Sequence, residues 1–223
     1  MPMHSHSKVD FIEEYLWLFG ERPAPSDLAE VRFAVVDSEM TGLDPRRDRL
    51  ISIGGVAVAN GEIVIADSFE ALLKVAYNAA SVTVHGITCD EARDGLDEPE
   101  ALEQFLHWLG DSVIVGHHIG HDIATFDAAY ERHFGIHLRN ASLDTMDLTL
   151  HLEKGGAFAG RAEISDFSLD GLCRMFSVRP HDRHTAAGDA FLTAQVFLRL
   201  YSLARRHGRT SLEALCETFP VEP

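Results

Sequence analysis

The pattern of apolar and polar residues is strand-like in the first third of the chain. A continuous apolar run covers residues 33–36, and β-rich segments cover residues 50–59 and 62–69. The dipeptide Asn60-Gly61 between the last two segments is typical of a type I′ hairpin turn. The sequence therefore predicts three strands connected as an antiparallel meander, the first of them buried on both faces.

After residue 88 the spacing of apolar residues becomes helical. Short apolar strands are predicted at 113–115 and near Leu143, and helices are predicted around 98–109, 123–134, 168–176 and 186–206. Further strands alternate with helices here, so the sequence predicts an α/β fold in which helices flank a mixed sheet.

An amphipathic helix is predicted at residues 9–20, before a linker that contains prolines. It can pack on the main domain as a flap, or it can bind a second copy of the chain or a partner protein. The flap is favoured because an apolar helix face is usually buried within its own chain. The predicted division is residues 1–30 for tail, helix and linker, 31–206 for the main domain, and 207–223 for a C-terminal helix and tail.

Composition narrows the class of protein. The chain has 223 residues, 46% of them hydrophobic, which suits one substantial core. Lysine and arginine total 19 against 35 acidic residues, and a net charge of −16 argues against a protein that coats duplex nucleic acid. Cys89, Cys173 and Cys216 are dispersed, which indicates no disulfide framework and favours the cytoplasm. The apolar stretch 11–19 is too short to span a membrane.

Two carboxylates lie at the end of the first strand. Asp37 and Glu39 are two residues apart, so their side chains point to the same side of a strand. Such a pair repels itself unless a hard cation that prefers oxygen ligands lies between the two groups. An exposed acidic turn explains the pair equally well, so the pair alone leaves both interpretations open.

Two later segments carry further candidates. His184 and Asp189 lie on either side of the first turn of a predicted helix. In this arrangement the histidine can act as a base beside the aspartate as a metal ligand. The alternative is a helix cap with a solvated histidine. A histidine-rich loop at 115–123 joins a strand to a helix, and Asp122 and Asp127 compete there for the role of a catalytic carboxylate.

Together these segments resemble the DEDDh branch of the DnaQ-like exonucleases, which includes proofreading subunits of bacterial replicative polymerases. VVDSEMTGLDP at 35–45 is similar to D-x-E-T-T-G-L, with Met40 in place of the first threonine. VGHHIGHDI at 115–123 is similar to G-H-N-x-x-F-D, and HTAAGDA at 184–190 matches H-x-x-x-x-D-A. VHGIT at 84–88 and LDT at 143–145 add weaker matches, and the resemblance extends from residue 32 to about residue 202.

The second motif departs from the family at two positions. His118 stands where the family has asparagine, and His121 stands where it has phenylalanine. The family's aspartate lies five positions after the first histidine, which selects Asp122 over Asp127. The resemblance implies a ribonuclease H-like fold and makes residues 31–206 an exonuclease domain.

The resemblance also implies the chemistry. Two Mg²⁺ or Mn²⁺ ions about 4 Å apart would hold the scissile phosphate. Asp37 would bridge both ions, Glu39 and Asp189 would complete the shell of the first, and Asp122 would support the second. His184 would take the proton from the attacking water. The expected products are nucleoside 5′-monophosphates, released from the 3′ end of single-stranded DNA or RNA.

The substrate-binding residues follow from the same resemblance. The turn after Glu39 would cradle the terminal nucleotide, with Leu43 as a wedge against the last base. His85 or Phe126 would line the pocket of that base. Leu43 can instead pack in the turn, Phe126 can belong to the core, and His85 can be structural. The candidates are Met40, Thr41, Gly42, Leu43, His85 and Phe126.

Two other functions remain as alternatives. His121-Asp122 is an adjacent pair of the kind found in HD-type metal-dependent phosphohydrolases, but that family is all-helical and the first third of this chain is rich in strands. A catalytically silent member that only binds nucleic acid is opposed by the complete set of acidic residues and histidine. The sequence does not distinguish DNA from RNA as substrate, because the residues that would contact a 2′-hydroxyl lie in loops without diagnostic features.

Overall fold

A mixed five-stranded sheet forms the centre of the molecule. The computed structural model describes residues 10–20, 27–74, 95–160 and 164–216. The strand order is β3-β2-β1-β4-β5; β1 to β3 form an antiparallel meander, and β4 and β5 run parallel to β1. The predicted α/β fold class is confirmed. The strands are β1 (Phe33–Met40), β2 (Leu50–Ala59), β3 (Glu62–Leu72), β4 (Val113–Gly116) and β5 (Ser142–Asp144).

Helices cover both faces of the sheet, and most lie where apolar spacing predicts them. The helix α4 was not anticipated; Asp144 caps it by accepting a hydrogen bond from the backbone N–H of Met146 (2.8 Å). The helices are α1 (Asp10–Leu18), α2 (Glu98–Leu109), α3 (Gly120–Phe134), α4 (Thr145–Lys154), α5 (Leu169–Met175), α6 (Ala186–Arg206) and α7 (Leu212–Cys216), with a 3₁₀ turn at Leu28–Glu30.

The hairpin between β2 and β3 has the predicted turn. Asn60 and Gly61 both have positive φ angles, 53° and 75°, as a type I′ turn requires. The first strand is longer than its apolar run, because residues up to Met40 continue to pair with β2. Both site carboxylates of this region therefore lie within a central strand and not in a flexible turn.

Alternate residues of β1 enter two different cores. Phe33 and Val35 pack on the face covered by α6, and Phe33 lies 5.0 Å from Phe197 between ring centroids. Ala34 and Val36 pack on the opposite face with α2 and α3. Since side chains alternate along a strand, Asp37 and Glu39 continue the row of Phe33 and Val35 towards α6.

The helix α1 packs on the domain through its apolar face. Phe11 and Tyr15 are 5% and 3% exposed, and the Phe11 ring lies 5.2 Å from the ring of Phe134. The Tyr15 hydroxyl donates to the side-chain oxygen of Asn140 (2.6 Å). These contacts agree with the flap interpretation, while the predicted division at residues 30 and 206 stays a prediction. Among the helices described here, none has the length and apolarity needed to cross a membrane.

Candidate active site

Three carboxylates converge where β1 ends and α6 begins. Oxygen atoms of Asp37, Glu39 and Asp189 all lie within 4.8 Å of one another, close enough to ligate one metal ion. Asp37 and Glu39 come from the strand, and Asp189 comes from the first turn of the helix. The N-terminus of α6, which Thr185 caps through a hydrogen bond to the backbone N–H of Gly188 (3.1 Å), also favours negative charge.

A glycine in β2 allows this approach. Gly54 pairs with Asp37 across the two strands, and α6 begins directly above it. A Cβ atom at Gly54 would lie 2.2 Å from the backbone nitrogen of Ala187, which is far inside contact distance. The absence of a side chain at residue 54 therefore lets the helix bring Asp189 to the strand.

Asp122 reaches the same place from the opposite face of the sheet. It lies in the first turn of α3, is 8% exposed, and accepts a hydrogen bond from the Ser38 hydroxyl (2.6 Å). Asp127 instead accepts from the backbone N–H of Leu138 (2.8 Å), which ties down the segment after α3. The structure thus places Asp122 beside the carboxylates of Asp37, Glu39 and Asp189, whereas Asp127 holds the backbone after α3.

Burial and mutual repulsion make these carboxyl groups hard to ionise. The pKa of Asp37 is raised well above its usual value by burial, and further by the charges of Asp122, Asp189 and Glu39. Burial, and then the charges of Asp189 and Asp122, raise the pKa of Glu39 to about 7. Burial raises the pKa of Asp122 to about 6. A divalent cation would relieve this repulsion, and a ligand set made only of carboxylate oxygens suits a hard ion such as Mg²⁺ or Mn²⁺.

Arg183 contacts the cluster and was missed in the sequence. Its Nη1 donates to Oδ1 of Asp189, and its Nε donates to Oδ1 of Asp170 on α5 (2.8 Å). The side chain is 23% exposed. Arg183 directly precedes the histidine of the third motif, and this position could have marked it as a candidate site residue. Its pairing with Asp170 depends on how α5 packs, which the sequence does not show.

His184 is an exposed residue beside the carboxylate cluster. Its backbone N–H donates to Oδ2 of Asp189 (3.2 Å), and its side chain is exposed. Its φ angle is 64°, an uncommon backbone conformation for a residue other than glycine. The residue predicted as the base is thus held beside a candidate metal ligand through its own backbone.

The histidine-rich loop is fixed by polar contacts at its start. Thr145 donates to the carbonyl of Gly116 (3.1 Å), so its hydroxyl accepts from Nδ1 of His117 (2.9 Å), and this assigns the proton of that ring to Nδ1. Burial, and then the neighbouring His118, lower the pKa of His117 to about 4. His118 packs edge-on against the His117 ring at 4.7 Å and is exposed, with a φ of 60°.

His121 is the other departure from the family pattern, and its buried Nε2 has no hydrogen-bond partner among the residues that the structure describes. Within the described residues, neither His118 nor His121 belongs to a group of three side chains that could ligate a metal ion. His121 therefore changes the surroundings of Asp122, its neighbour in the sequence, and neither histidine forms a second metal cluster within the described residues.

The turn after β1 is organised by a residue that the sequence did not single out. Asp48 accepts hydrogen bonds from the Thr41 hydroxyl (2.9 Å) and from the backbone N–H of Asp44 (2.8 Å). A Cβ atom at Gly42 would lie 2.6 Å from the Asp48 carboxylate, so glycine allows this close turn. Leu43, at its tip, is 85% exposed and is free to contact a ligand.

The remaining residues predicted to bind substrate differ in how far the structure exposes them. Met40 is half-buried, and its sulfur accepts a hydrogen bond from the Thr125 hydroxyl (3.2 Å). Phe126 is 1% exposed and stacks on Phe105 at 4.8 Å, so it belongs to the core. The prediction that it lines a base pocket does not agree with this position, because the surrounding helices cover its ring. His85 lies outside the described residues.

Comparison with known proteins gives a consistent result. Residues 34–197 match the model of a family named RNase_T and described as exonuclease. The chain is 31% identical over 192 residues to a PolC-type DNA polymerase III of Thermotoga maritima, and 29% identical over 184 residues to that of Bacillus subtilis. These alignments cover 85% and 81% of this chain but 13% and 12% of the relatives, so the chain spans about an eighth of their length.

Solved structures share the fold. Escherichia coli exonuclease I in complex with a dT13 oligonucleotide has a TM-score of 0.66 and 18% identity, with 80% of this chain and 43% of that chain covered. The complex of the same enzyme with a dA16 oligonucleotide has a TM-score of 0.65 and 18% identity, with 79% and 42% covered. At this level of identity the likeness supports the predicted ribonuclease H-like fold alone.

Proposed function

The chain belongs to the RNase_T exonuclease family, and on that premise we propose that it removes nucleoside 5′-monophosphates from the 3′ ends of single-stranded DNA or RNA with the help of two divalent metal ions. The predicted DnaQ-like family and the predicted class of enzyme, a nuclease, are confirmed by this match. The observation that carries the finer proposal is the convergence of Asp37, Glu39 and Asp189 within 4.8 Å, with Asp122 beside them.

The acidic residues would hold the metal ions. Asp37, Glu39 and Asp189 would ligate one ion, and Asp37 together with Asp122 would hold the second. When bound, two such ions, Mg²⁺ or Mn²⁺, neutralise the phosphate and stabilise both the attacking and the leaving oxygen. This also explains how a chain of net charge −16 can bind a polyanion, since only the terminal nucleotides need to enter the site.

The other residues of the site would position the substrate and move a proton. His184, exposed and beside Asp189, would take the proton from the attacking water. The turn that Asp48 holds would place Thr41 and Gly42 against the terminal nucleotide, and the exposed Leu43 would pack on its base.

The related structures support single-stranded DNA as the first substrate to test, because the exonuclease I complexes contain dT13 and dA16 oligonucleotides. RNA is tested beside it, since the described residues give no reason to exclude a 2′-hydroxyl. The alternative of an HD-type phosphohydrolase is abandoned, because that family is all-helical and this chain has a five-stranded sheet.

No partner protein is assigned to α1. Its two buried residues, Phe11 and Tyr15, are occupied by contacts within the chain. A homodimer through this helix therefore stays a prediction without support in the described contacts, and location in the cytoplasm also stays a prediction from the sequence.

A direct assay tests the proposal. Single-stranded DNA and RNA oligonucleotides of matched sequence, labelled at the 5′ end, are incubated with Mn²⁺ and the wild-type chain, Asp37→Ala or His184→Ala. We expect a ladder that shortens from the 3′ end and release of 5′-monophosphates for the wild type, and no ladder for Asp37→Ala. Glu62→Ala, an exposed acidic change on β3, is the matched control and should behave as wild type. Intact substrates with the wild type would instead favour the catalytically silent alternative.

A further inference from the structure

The connection from β1 to β2 carries a local excess of positive charge. Residues 44–49 read DPRRDR, so that Arg46, Arg47 and Arg49 fall within four positions; we call this segment the basic turn. The whole chain has 19 basic against 35 acidic residues and a net charge of −16. The basic turn is therefore an exception to the charge of the protein that carries it.

Hydrogen bonds within the basic turn fix its backbone. The Asp48 carboxylate accepts from the backbone N–H of Asp44 (2.8 Å), and Oδ1 of Asp44 accepts from the backbone N–H of Arg46 (3.1 Å). Nη1 of Arg49 donates to the carbonyls of Arg47 (3.1 Å) and Asp48 (2.9 Å). Both aspartates and one arginine are thus engaged with the turn itself, and the other two arginines extend from a fixed backbone.

Arg46 and Arg47 are available to a ligand. Both side chains are exposed, and within the described residues neither forms an ion pair with a carboxylate, although the charge of Arg47 acts on Asp48 at longer range. Other arginines of the described structure are paired with carboxylates: Arg32, Arg132, Arg174 and Arg183. Two adjacent guanidinium groups, which carry only donors, can therefore bind an external anion.

The basic turn lies at the end of the sheet where the site carboxylates converge. It follows β1, the strand that carries Glu39, and at its base the backbone N–H of Thr41 donates to the carbonyl of Arg49 (3.0 Å). Leu43 is exposed just before it. A nucleic-acid strand that ends at the carboxylates must leave over exposed residues around them, and this turn offers positive charge for its phosphates.

Resting on the proposed exonuclease function, we propose that Arg46 and Arg47 bind phosphates of the single strand that precede the terminal nucleotide. Guanidinium groups bind phosphate oxygens through charge-assisted and often bidentate hydrogen bonds. The terminal nucleotide lies at the carboxylates, and the strand behind it lies on the basic turn. An acidic protein thereby gains affinity for longer strands without a basic surface elsewhere.

Strand binding at varied salt concentration tests this proposal. The probe is dT13, the length found in one exonuclease I complex, with a 5′ fluorescein and phosphorothioate linkages that resist hydrolysis. Fluorescence anisotropy in Mn²⁺ compares the wild type with Arg46→Gln/Arg47→Gln and with the control Arg205→Gln/Arg206→Gln. The control removes the same charge from two exposed arginines at the end of α6, about 24 Å along the helix from Asp189.

The two double variants should differ in affinity and in salt dependence. We expect Arg46→Gln/Arg47→Gln to bind dT13 roughly tenfold more weakly than the wild type. The slope of log affinity against log salt should fall by about 1.4, because each phosphate contact of a single strand contributes about 0.7. The control should stay within about twofold of the wild type, because its charges are distant and screened.

Dependence on strand length provides the second readout. The dinucleotide TpT carries only the scissile phosphate, so it cannot reach the basic turn, and its affinity is measured by competition with the labelled strand. The wild type and the control should prefer dT13 over TpT, whereas Arg46→Gln/Arg47→Gln should lose most of this preference. Arg46→Lys/Arg47→Lys should restore part of it, because lysine retains the charge without the bidentate geometry.

The outcomes separate this proposal from the proposed function. Because both arginines are exposed, the variant should melt as the wild type does; each single variant, with about half the change in slope, replaces it if the double variant does not fold. A salt slope and a length preference equal to those of the control would overturn the proposal. The proposed function fails separately, if the wild type binds dT13 through these arginines but leaves ordinary dT13 intact in Mn²⁺.

Discussion

Asp37 and Gly54 face each other across the antiparallel pair of β1 and β2, so a carboxylate of the site stands opposite a residue without a side chain. The start of α6 fills the space above Gly54, where a Cβ atom would meet the backbone at 2.2 Å. The distance between Asp37 and Asp189 therefore depends on Gly54, a residue that has no functional side chain.

Gly54→Ala should damage both the fold and the site. The methyl group must push α6 away from β2, which should destabilise the chain by roughly 1–3 kcal/mol and lower nuclease activity by roughly a hundredfold, because Asp189 moves. Thermal melting and initial rates measure the two effects. Gly120→Ala is the control, since nothing lies within 4 Å of its added Cβ atom. Wild-type rates for Gly54→Ala would contradict the role given to this contact.

Asp122 and Asp127 can be separated by matched variants. Asp122→Asn should lower the rate at least roughly a hundredfold, because a charge beside the cluster is lost. Asp127→Asn should leave the rate unchanged, because an asparagine oxygen can still accept the hydrogen bond from Leu138. Rates are compared at saturating Mn²⁺. The reverse order of effects would show that the alignment of the second motif is off by five residues.

Glu39→Gln should stabilise the metal-free chain in a pH-dependent way. Burial, and then the charges of Asp189 and Asp122, raise the pKa of Glu39 from 4.5 to about 7 in the folded chain, so folding favours the protonated form. The stability that this group contributes is present below about pH 4.5 and is lost as the pH rises through about 7.

At about pH 8 in EDTA, Glu39→Gln should therefore exceed the wild type by roughly 1–3 kcal/mol, allowing for partial exposure, and by several degrees in Tm. At about pH 4 the two should melt together, because the wild-type side chain is then also neutral. Adding Mn²⁺ at the higher pH should favour the wild type. Identical melting curves at about pH 8 would show that the cluster carries no such repulsion.

Leu43→Ala tests the contact with the last base. The side chain is 85% exposed, so its removal should leave Tm unchanged. If the leucine packs on a base, KM for an oligonucleotide should rise roughly five- to tenfold, as loss of a few buried methylene groups implies. Ile65→Ala, a similar change at a residue that is 62% exposed on β3, is the control. An unchanged KM in both variants would show that Leu43 does not pack on the last base.

Local signals explain what the sequence predicted well. The bounds of β2 follow from its apolar residues and from Asn60-Gly61, whose turn type is fixed by two neighbouring residues. The order of the candidate ligands follows from motifs that each lie within one short segment. The structure places Asp37, Glu39 and Asp189 together, as their positions at the end of a strand and at the start of a helix imply.

Long-range contacts explain what the sequence did not predict. Arg183 is held by Asp170, and Gly54 matters only because α6 begins above it. Phe126 lies in the same helix as Asp122, yet its direction within the packed core excludes it from the site. Each of these contacts depends on how distant elements pack, and a pattern read along one segment contains no such information.

The carboxylate cluster combines residues of the first strand with Asp189 of the long helix α6, and these segments are synthesised far apart in time. A chain still emerging from the ribosome has Asp37 and Glu39 early, and the hairpin of β2 and β3 can pair with their strand at once. Asp189 and His184 follow only when α6 is released. The nascent chain would therefore acquire its proposed nuclease activity late, after the sheet that carries half of the ligands has already formed.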